Sequence, residues 1–302
     1  MKNLEIMNKH RFGLYNSCNG FLLHMKLDKE YITPKYLIYN PLTKENFYFC
    51  EERCRIWGFF FHQLERDYKL LVYRFDKINQ TCHYYMYGFN TKDKRKLGSF
   101  PYYPLLFNNH AVLVCGALFW LVAGLKTKEC SKSIMMFDLK SENIHVMPHL
   151  GPTCTHSFYL ENWKLHYQMV LLEIDGRLSL SNVCKETVEV WILEDLANWM
   201  WVKKYVVNLD IPFDHDACRH SHPVVLFQSG NLLLNWPARG PFWCNLSLNY
   251  LCKIKLDLNK VDSDFVFYAT KYTSNFGSLR GSNIFYDSFK SCDIFPSCST
   301  SL

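Results

Sequence analysis

Residues 36–49 read YLIYNPLTKENFYF: an apolar run, a polar turn built on Asn40 and Pro41, and a second apolar run. Two runs of strand formers around a short polar turn make a β-hairpin. The unit returns as residues 70–87 (LLVYRFDKINQTCHYYMY), 134–148 (IMMFDLKSENIHVMP), 188–203 (VEVWILEDLANWMWVK) and 252–268 (CKIKLDLNKVDSDFVFY). Each copy turns on an acidic or amide residue. A lone hairpin cannot bury its apolar face in water. Hairpins repeated along one chain can, by packing sheet against sheet, so the repeat implies a modular all-β body.

A second element alternates with the first. Asn19-Gly20, Cys115-Gly116, Asp175-Gly176 and Ser229-Gly230 each precede alternating apolar positions. Gly accepts the positive φ that a two-residue hairpin demands. One x-Gly hairpin plus one acidic-turn hairpin gives about four strands per unit, the composition of a propeller blade. The expected fold is therefore all-β: a β-propeller of four-stranded antiparallel blades, about six of them. The visible hairpins count toward that number, and the stretches around Phe100 and residues 276–285 are expected to add strands.

Composition agrees with a packed globular protein. Hydrophobic residues make up 49% of the 302 and aromatics 17%, with Tyr and Phe dominant, as pleated half-buried surfaces favour. No Pro-, Ser- or Gly-rich linker breaks the chain, so a single domain over 1–302 is expected, with 1–11 and 291–302 as frayed tails. Net charge is +6. The densest basic cluster, Lys92-Asp93-Lys94-Arg95-Lys96, lies between two strand-like runs and reads as a solvated turn rather than a nucleic-acid stripe. Residues 111–125 form the longest apolar stretch. It is too short for a membrane span and is interrupted by Gly116, so it reads as two strands, 112–114 and 117–122. The first ten residues lack the apolar core of a secretory signal, so the 13 cysteines are expected as reduced thiols in a cytoplasmic or nuclear protein. Cys115, Cys184 and Cys252 lie in apolar runs and read as small hydrophobes.

No nucleophile elbow, P-loop or dinucleotide fingerprint occurs. Cys50 and Cys54 have no matched second pair to complete a zinc site. Residues 214–222 (DHDACRHSH) gather His215, His220 and His222 with Cys218, and in an extended chain Cys218, His220 and His222 share one face. Thiolate and imidazole are zinc's usual ligands, so a metal-dependent enzyme on a propeller scaffold is one reading. A polar inter-blade loop bracketed by Pro212 and Pro223 is the other, and no metal or cofactor is assigned. Residues 235–243 (NWPARGPFW) look too broken for a strand. Trp236, Arg239 and Trp243 are of the types that anchor protein interfaces, and the prolines would hold such a loop pre-ordered. The rival role for both Trp rings is to cap the core. Trp120, Trp191, Trp199 and Trp201 fall within strand patterns and read as core.

Several of these stretches resemble a family. Residues 14–23 (LYNSCNGFLL), 39–45 (YNPLTKE), 67–73 (DYKLLVY), 114–121 (VCGALFWL), 134–144 (IMMFDLKSENI) and 188–201 (VEVWILEDLANWMW) are similar, in order, to the motifs of the plant F-box-associated β-propeller domain. Beyond about residue 205 the resemblance fades. It implies a protein-interaction module that acts as the substrate-recognition half of an SCF-type E3 ubiquitin ligase receptor, without bond chemistry of its own. Its partner would be a protein to be ubiquitinated. A Skp-type adaptor would bind only if an F-box were supplied upstream, because the x-Gly opening begins within 20 residues of Met1. A stand-alone or truncated binding protein or decoy is the alternative. The expected binding residues are Trp236, Arg239 and Trp243, then His215, His220 and His222. Neither nucleic acid nor membrane is an expected partner.

Overall fold

The computed structural model describes residues 13–26, 34–91, 93–105, 111–124, 133–149, 169–183, 187–209, 224–228, 230–236, 240–248 and 250–253. Among them the regular structure is entirely β, in five antiparallel sheets that form the blades of a β-propeller. The first blade is β1 (Gly13–Cys18), β2 (Phe21–Lys26), β3 (Lys35–Tyr39) and β4 (Asn46–Phe49). The second is β5 (Cys54–His62), β6 (Asp67–Asp76), β7 (Thr81–Gly88) and β8 (Lys94–Phe100). A short β9 (Tyr102–Pro104) precedes the third, which is β10 (Val112–Val114), β11 (Ala117–Gly124), β12 (Ile134–Asp138) and β13 (Ile144–Met147). The fourth is β14 (Met169–Ile174), β15 (Arg177–Val183), β16 (Thr187–Asp195) and β17 (Met200–Asn208). The fifth is β18 (Val224–Gln228), β19 (Asn231–Trp236), β20 (Gly240–Asn245) and β21 (Tyr250–Lys253). Strand order within each blade is sequential, and β9 adds to the far end of β11. Among the described residues five blades are present, against about six expected for the whole chain. The stretch around Phe100 supplies strand as expected, and residues 276–285 lie outside the described residues.

The x-Gly element is the first turn of its blade. Asn19-Gly20 has φ of 43° and 89°, Cys115-Gly116 49° and 75°, and Asp175-Gly176 50° and 75°. Positive φ at both positions is the type I′ turn, whose twist matches that of the strands it joins. The second blade lacks the element because residues 63–66 make a longer turn there, ending on Arg66 at φ 50°. The acidic-turn element is the outer hairpin in the first, third and fourth blades. In the second blade, Asp76 instead turns β6 into β7.

The cores lie between blades rather than within them. Phe21, Leu23 and Ile38 of the first blade pack with Ile56, Phe59, Leu70 and Val72 of the second. Leu71, Tyr73 and Tyr84 pack with Leu118, Trp120 and Phe137 of the third. Phe119, Leu121 and Ile134 meet Leu171, Leu180 and Trp201 of the fourth. Val188, Val190 and Ile192 meet Leu232, Leu234 and Cys244 of the fifth. Successive side chains of a strand point to opposite faces. A middle strand such as β6, clad on both faces, therefore reads as a continuous apolar run.

Four readings are corrected here. Residues 235–243 are not too broken for strand: β19 runs through Trp236 and β20 starts at Gly240, with Asn235 opposite Pro241. The fifth blade's outer hairpin is β20–β21, so Cys252 and Lys253 lie in β21, and residues 254–268 of the expected 252–268 hairpin lie outside the described residues. Lys94, Arg95 and Lys96 belong to the outer strand β8, not to a turn; charge on an outer strand deters stray edge pairing. Cys115 and Cys252 are exposed rather than core, while Cys54, Cys82 and Cys244 are buried. Of the four strand-pattern tryptophans, Trp120 and Trp201 are buried, Trp191 is half-buried in β16, and Trp199 sits in the turn before β17 at φ 53°.

Candidate protein-interaction surface

Antiparallel order puts the turn after the first strand and the turn after the third strand at the same end of every blade. Hydrogen bonds tie these turns together from blade to blade. The Tyr68 hydroxyl donates to the Asn19 carbonyl at 3.5 Å, linking the first and second blades. Glu65 N–H donates to His62 Nδ1 at 3.2 Å, so the ring proton sits on Nε2, which reaches the Leu139 carbonyl of the third blade at 3.2 Å. Cys115 Sγ lies 3.6 Å from the Gly176 carbonyl, linking the third and fourth blades.

Side-chain caps rigidify the same end. Asn40 Oδ1 accepts from Leu42 N–H at 2.9 Å. Asp138 Oδ1 accepts from Lys140 N–H at 2.8 Å, and Asp195 Oδ1 from Ala197 N–H at 2.9 Å and Asn198 N–H at 3.0 Å. Asn245 Oδ1 accepts from Leu248 N–H at 2.8 Å. These are Asx turns, in which a short acid or amide imitates a backbone acceptor. The acidic or amide residue of the repeat is thus the residue that closes the hairpin. In the second blade Asp67 has the capping role, accepting from Asn90 N–H at 2.8 Å and Thr91 N–H at 3.4 Å. Gly88 is required beside it: a Cβ there would come within 2.0 Å of Thr91 Oγ1 and 2.7 Å of Asp67 Oδ2.

A charged cluster spans the second and third blades. Lys69 is fully buried, with Nζ 2.5 Å from Glu65 Oε2 and 3.8 Å from Asp67 Oδ2. Arg95 bridges Glu142 of the third blade and Glu65, the latter at 4.0 Å. A buried ammonium needs such neutralising partners, because an unpaired one is strongly destabilising. The cluster is read as a weld between blades.

Against this fixed frame, leucines stand out of the turns. Leu64 and Leu248 are each 76% exposed, and Leu42 and Leu196 are also exposed. They occupy turns of the first, second, fourth and fifth blades at the end described above. None of the four belongs to an inter-blade core among the described residues. Residue-type reasoning passed over them because the turns around them are polar; for Leu42, Leu196 and Leu248 the signal is an apolar residue one to three places after the capping Asn or Asp, whereas Leu64 follows His62, which accepts from Glu65 N–H.

The residues expected to bind are placed differently. Trp236 ends β19 opposite Gly240, and Trp243 lies half-buried in β20 opposite Leu233. The two are on adjacent strands joined by 237–239, not on one loop. Arg239, His215, His220 and His222 lie outside the described residues. Among the described residues no group of three His, Cys, Asp or Glu side chains could hold a metal ion. Burial pushes the Cys18, Cys54, Cys82 and Cys244 thiols up to about 12, which keeps them protonated and unreactive. No described helix is long and apolar enough to cross a membrane.

Loops held on a rigid scaffold are where proteins most often carry their contacts. The sequence matches the family model described as the F-box associated beta propeller domain over residues 2–234. The chain belongs to that family, whose members supply the interaction domain of F-box proteins. A comparison with curated proteins finds no match. Among solved structures, the β-propeller domain of the Trilobed protease from Pyrococcus furiosus is similar at TM-score 0.43 and 11% identity, over 82% of this chain and 71% of that one. Pyrococcus horikoshii acylaminoacyl peptidase is similar at 0.43 and 7%, over 81% and 46%. Exo-β-1,3-galactanase from Phanerochaete chrysosporium is similar at 0.42 and 10%, over 81% and 62%. The chain thus spans less than two thirds of the latter two. None of their activities carries over to it.

Proposed function

We propose that this chain is a non-enzymatic substrate-recognition module of an SCF-type E3 ubiquitin ligase receptor, working in the cytoplasm or nucleus. Its propeller captures a protein substrate. An F-box docked on a Skp-type adaptor brings that substrate to the ligase. Family membership supports the interaction role. The observation that carries the reading is the set of exposed leucines, Leu42, Leu64, Leu196 and Leu248, held on capped turns at one end of the blades. Preordered turns lower the entropy lost on binding, and apolar tips supply the contact.

The test fuses an F-box upstream of the chain, reconstitutes the ligase with the Skp-type adaptor, and identifies proteins that acquire ubiquitin. Aspartate at Leu42, Leu64, Leu196 and Leu248, singly and together, is expected to abolish that modification. Thermal stability should stay within about 0.5 kcal/mol for each single change, as is usual for exposed positions. Retained ubiquitination in the fourfold variant would move the binding surface elsewhere. Failure of any substrate to acquire ubiquitin with an active ligase would end the receptor reading.

A further inference from the structure

The turns that carry the exposed leucines differ in charge from blade to blade. In the first three blades the carboxylates at that end are engaged within the protein. Glu65 holds the Lys69 ammonium at 2.5 Å, and Glu142 pairs with Arg95. Asp67 accepts from the Asn90 and Thr91 N–H groups, and Asp138 from Lys140 N–H and, at 2.9 Å, from the Ser141 hydroxyl. Asp93 takes the Thr91 hydroxyl, and Glu45 takes the Thr43 hydroxyl at 3.3 Å. The cations are placed otherwise. Lys44, Arg66 and Lys140 are exposed, and none has an ion-pair partner among the described residues.

Packing ties the three cationic turns together. Lys140 follows Leu139, whose carbonyl receives His62 Nε2 from the turn that ends on Arg66. The Arg66 carbonyl in turn receives the Asn90 side-chain amide at 3.4 Å. Beside Asn90, the Phe89 ring lies 5.8 Å from that of Phe47, in the strand that leaves the turn of Lys44. Two of these turns also carry an apolar tip: Leu42 stands two residues before Lys44, and Leu64 two before Arg66. The fourth blade has the opposite character. Arg177 is paired there with Glu194 at 2.8 Å, and Asp175 is exposed with no ion-pair partner among the described residues. The fifth blade's turn over 245–248 carries no charge. Among the described residues, unpaired positive charge at this end is therefore confined to the first three blades.

We propose that the turns of the first three blades take an acidic segment of a partner protein that also carries apolar side chains. Its apolar side chains pack on Leu42 and Leu64, and its carboxylates meet Lys44, Arg66 and Lys140. Because the carboxylates of this end are engaged internally, an incoming acid meets these cations without breaking an internal pair. A basic segment would meet the same cations as like charges. Exposed ion pairs are individually weak, so the charge selects the partner and speeds its arrival more than it adds affinity. The inference rests on the reading of these turns as the receptor's binding surface and names the chemistry of what they bind.

The test titrates the purified chain into a fluorescein-labelled peptide of Glu and Leu, followed by fluorescence anisotropy. Companion peptides carry Lys for every Glu, or Ser for every Leu. Saturable binding of the Glu–Leu peptide is expected, weakened by added salt because the charges are exposed. Lys44→Glu, Arg66→Glu and Lys140→Glu should each weaken it about twofold to fivefold. Together they should weaken it about tenfold or more and create binding of the Lys–Leu peptide. The fold tolerates these changes, since Glu142 already holds at φ 56° the position that Lys44 holds at 60° and Arg66 at 50°. Four results would overturn the proposal: no saturation, unchanged affinity in the triple variant, equal binding of the Ser peptide, or tighter binding of a labelled oligouridylate. In the reconstituted ligase the triple variant should no longer modify the parent chain's substrates. If it still does, the charge inference falls and the receptor reading stands. If the peptide binds as expected but no protein acquires ubiquitin, the receptor reading falls and the acidic site stands.

Discussion

Cys115 shows most directly how one residue can sit against its own preference. It occupies the first position of a type I′ turn at φ 49°, where the first and fourth blades place Asn19 and Asp175. Asn and Asp tolerate the left-handed region because their short polar side chains bond locally, and Cys does not. Its thiol is exposed, and among the described residues its one hydrogen bond is the 3.6 Å contact to the Gly176 carbonyl. Cys115→Asn is therefore expected to stabilise the chain by about 0.5–1 kcal/mol, read as a higher midpoint in chemical denaturation. A lower midpoint would show that the thiol contact between the third and fourth blades outweighs the backbone strain. His24 is a second residue out of place. It is buried in β2 with both ring nitrogens unpartnered among the described residues, and burial lowers its pKa to about 4. The unfolded chain takes up that proton near pH 6.5 and the folded chain only near 4, so stability falls as pH drops through this interval. His24→Leu should remove that part of the pH dependence and leave a core at least as stable at pH 7. A slope between pH 6.5 and 4 equal to that of the parent chain would assign the dependence to other groups.

At the scale of the element, the capped hairpin is the repeated part, and its chemistry gives it an acid limit. The Asn198 amide and backbone hold the Asp195 carboxyl below the usual range; the Asn79 side chain does so for Asp76, and the Lys140 N–H and Ser141 hydroxyl for Asp138. A carboxylate with a depressed folded pKa contributes stability above its unfolded pKa, and that contribution is lost as pH falls through the folded value. The window is therefore acidic, below about pH 4. The first and fifth blades close with Asn40 and Asn245, which accept the same N–H bonds without ionising. The triple variant Asp76→Asn, Asp138→Asn, Asp195→Asn should fold normally at pH 7 and lose less stability than the parent between pH 4 and 2. Denaturation midpoints at both ends of that range decide it, and equal losses would show that the caps carry no charge-dependent stability. These elements were also the most legible in the sequence, because a positive-φ glycine and a capping Asx are demanded by local geometry alone. Reading failed where context outweighed composition. Pro237 and Pro241 disguised a strand pair, and Lys94–Arg95–Lys96 looked like a turn because solvent-facing strands and turns carry the same residue types. The exposed leucines escaped for a related reason: each is one apolar letter in a polar turn, and only its exposure gives it meaning.

Among the described residues the molecule is held by four inter-blade cores, each shared by two neighbours, with no separate core inside a blade. Such a body behaves as a series of nearest-neighbour couplings. Phe137 tests this. It is fully buried in the core between the second and third blades, a cluster that also holds Trp120, Tyr84 and Tyr73. Tyr84 and Trp120 pack across the same interface with ring centres 5.6 Å apart. Phe137→Ala leaves a cavity that close-packed aromatic neighbours fill poorly, and such deletions cost about 3–5 kcal/mol. Because both blades lose the contact, hydrogen exchange should quicken in β6 and β7 as well as in β11 and β12. The strands β19 and β20, two interfaces away, should change least, because sites without shared partners respond nearly independently. The graded pattern distinguishes this architecture from a sandwich with one common core. Uniform acceleration across all five blades would mean that the blades unfold as one unit, and that binding at one blade's turns is felt at every other.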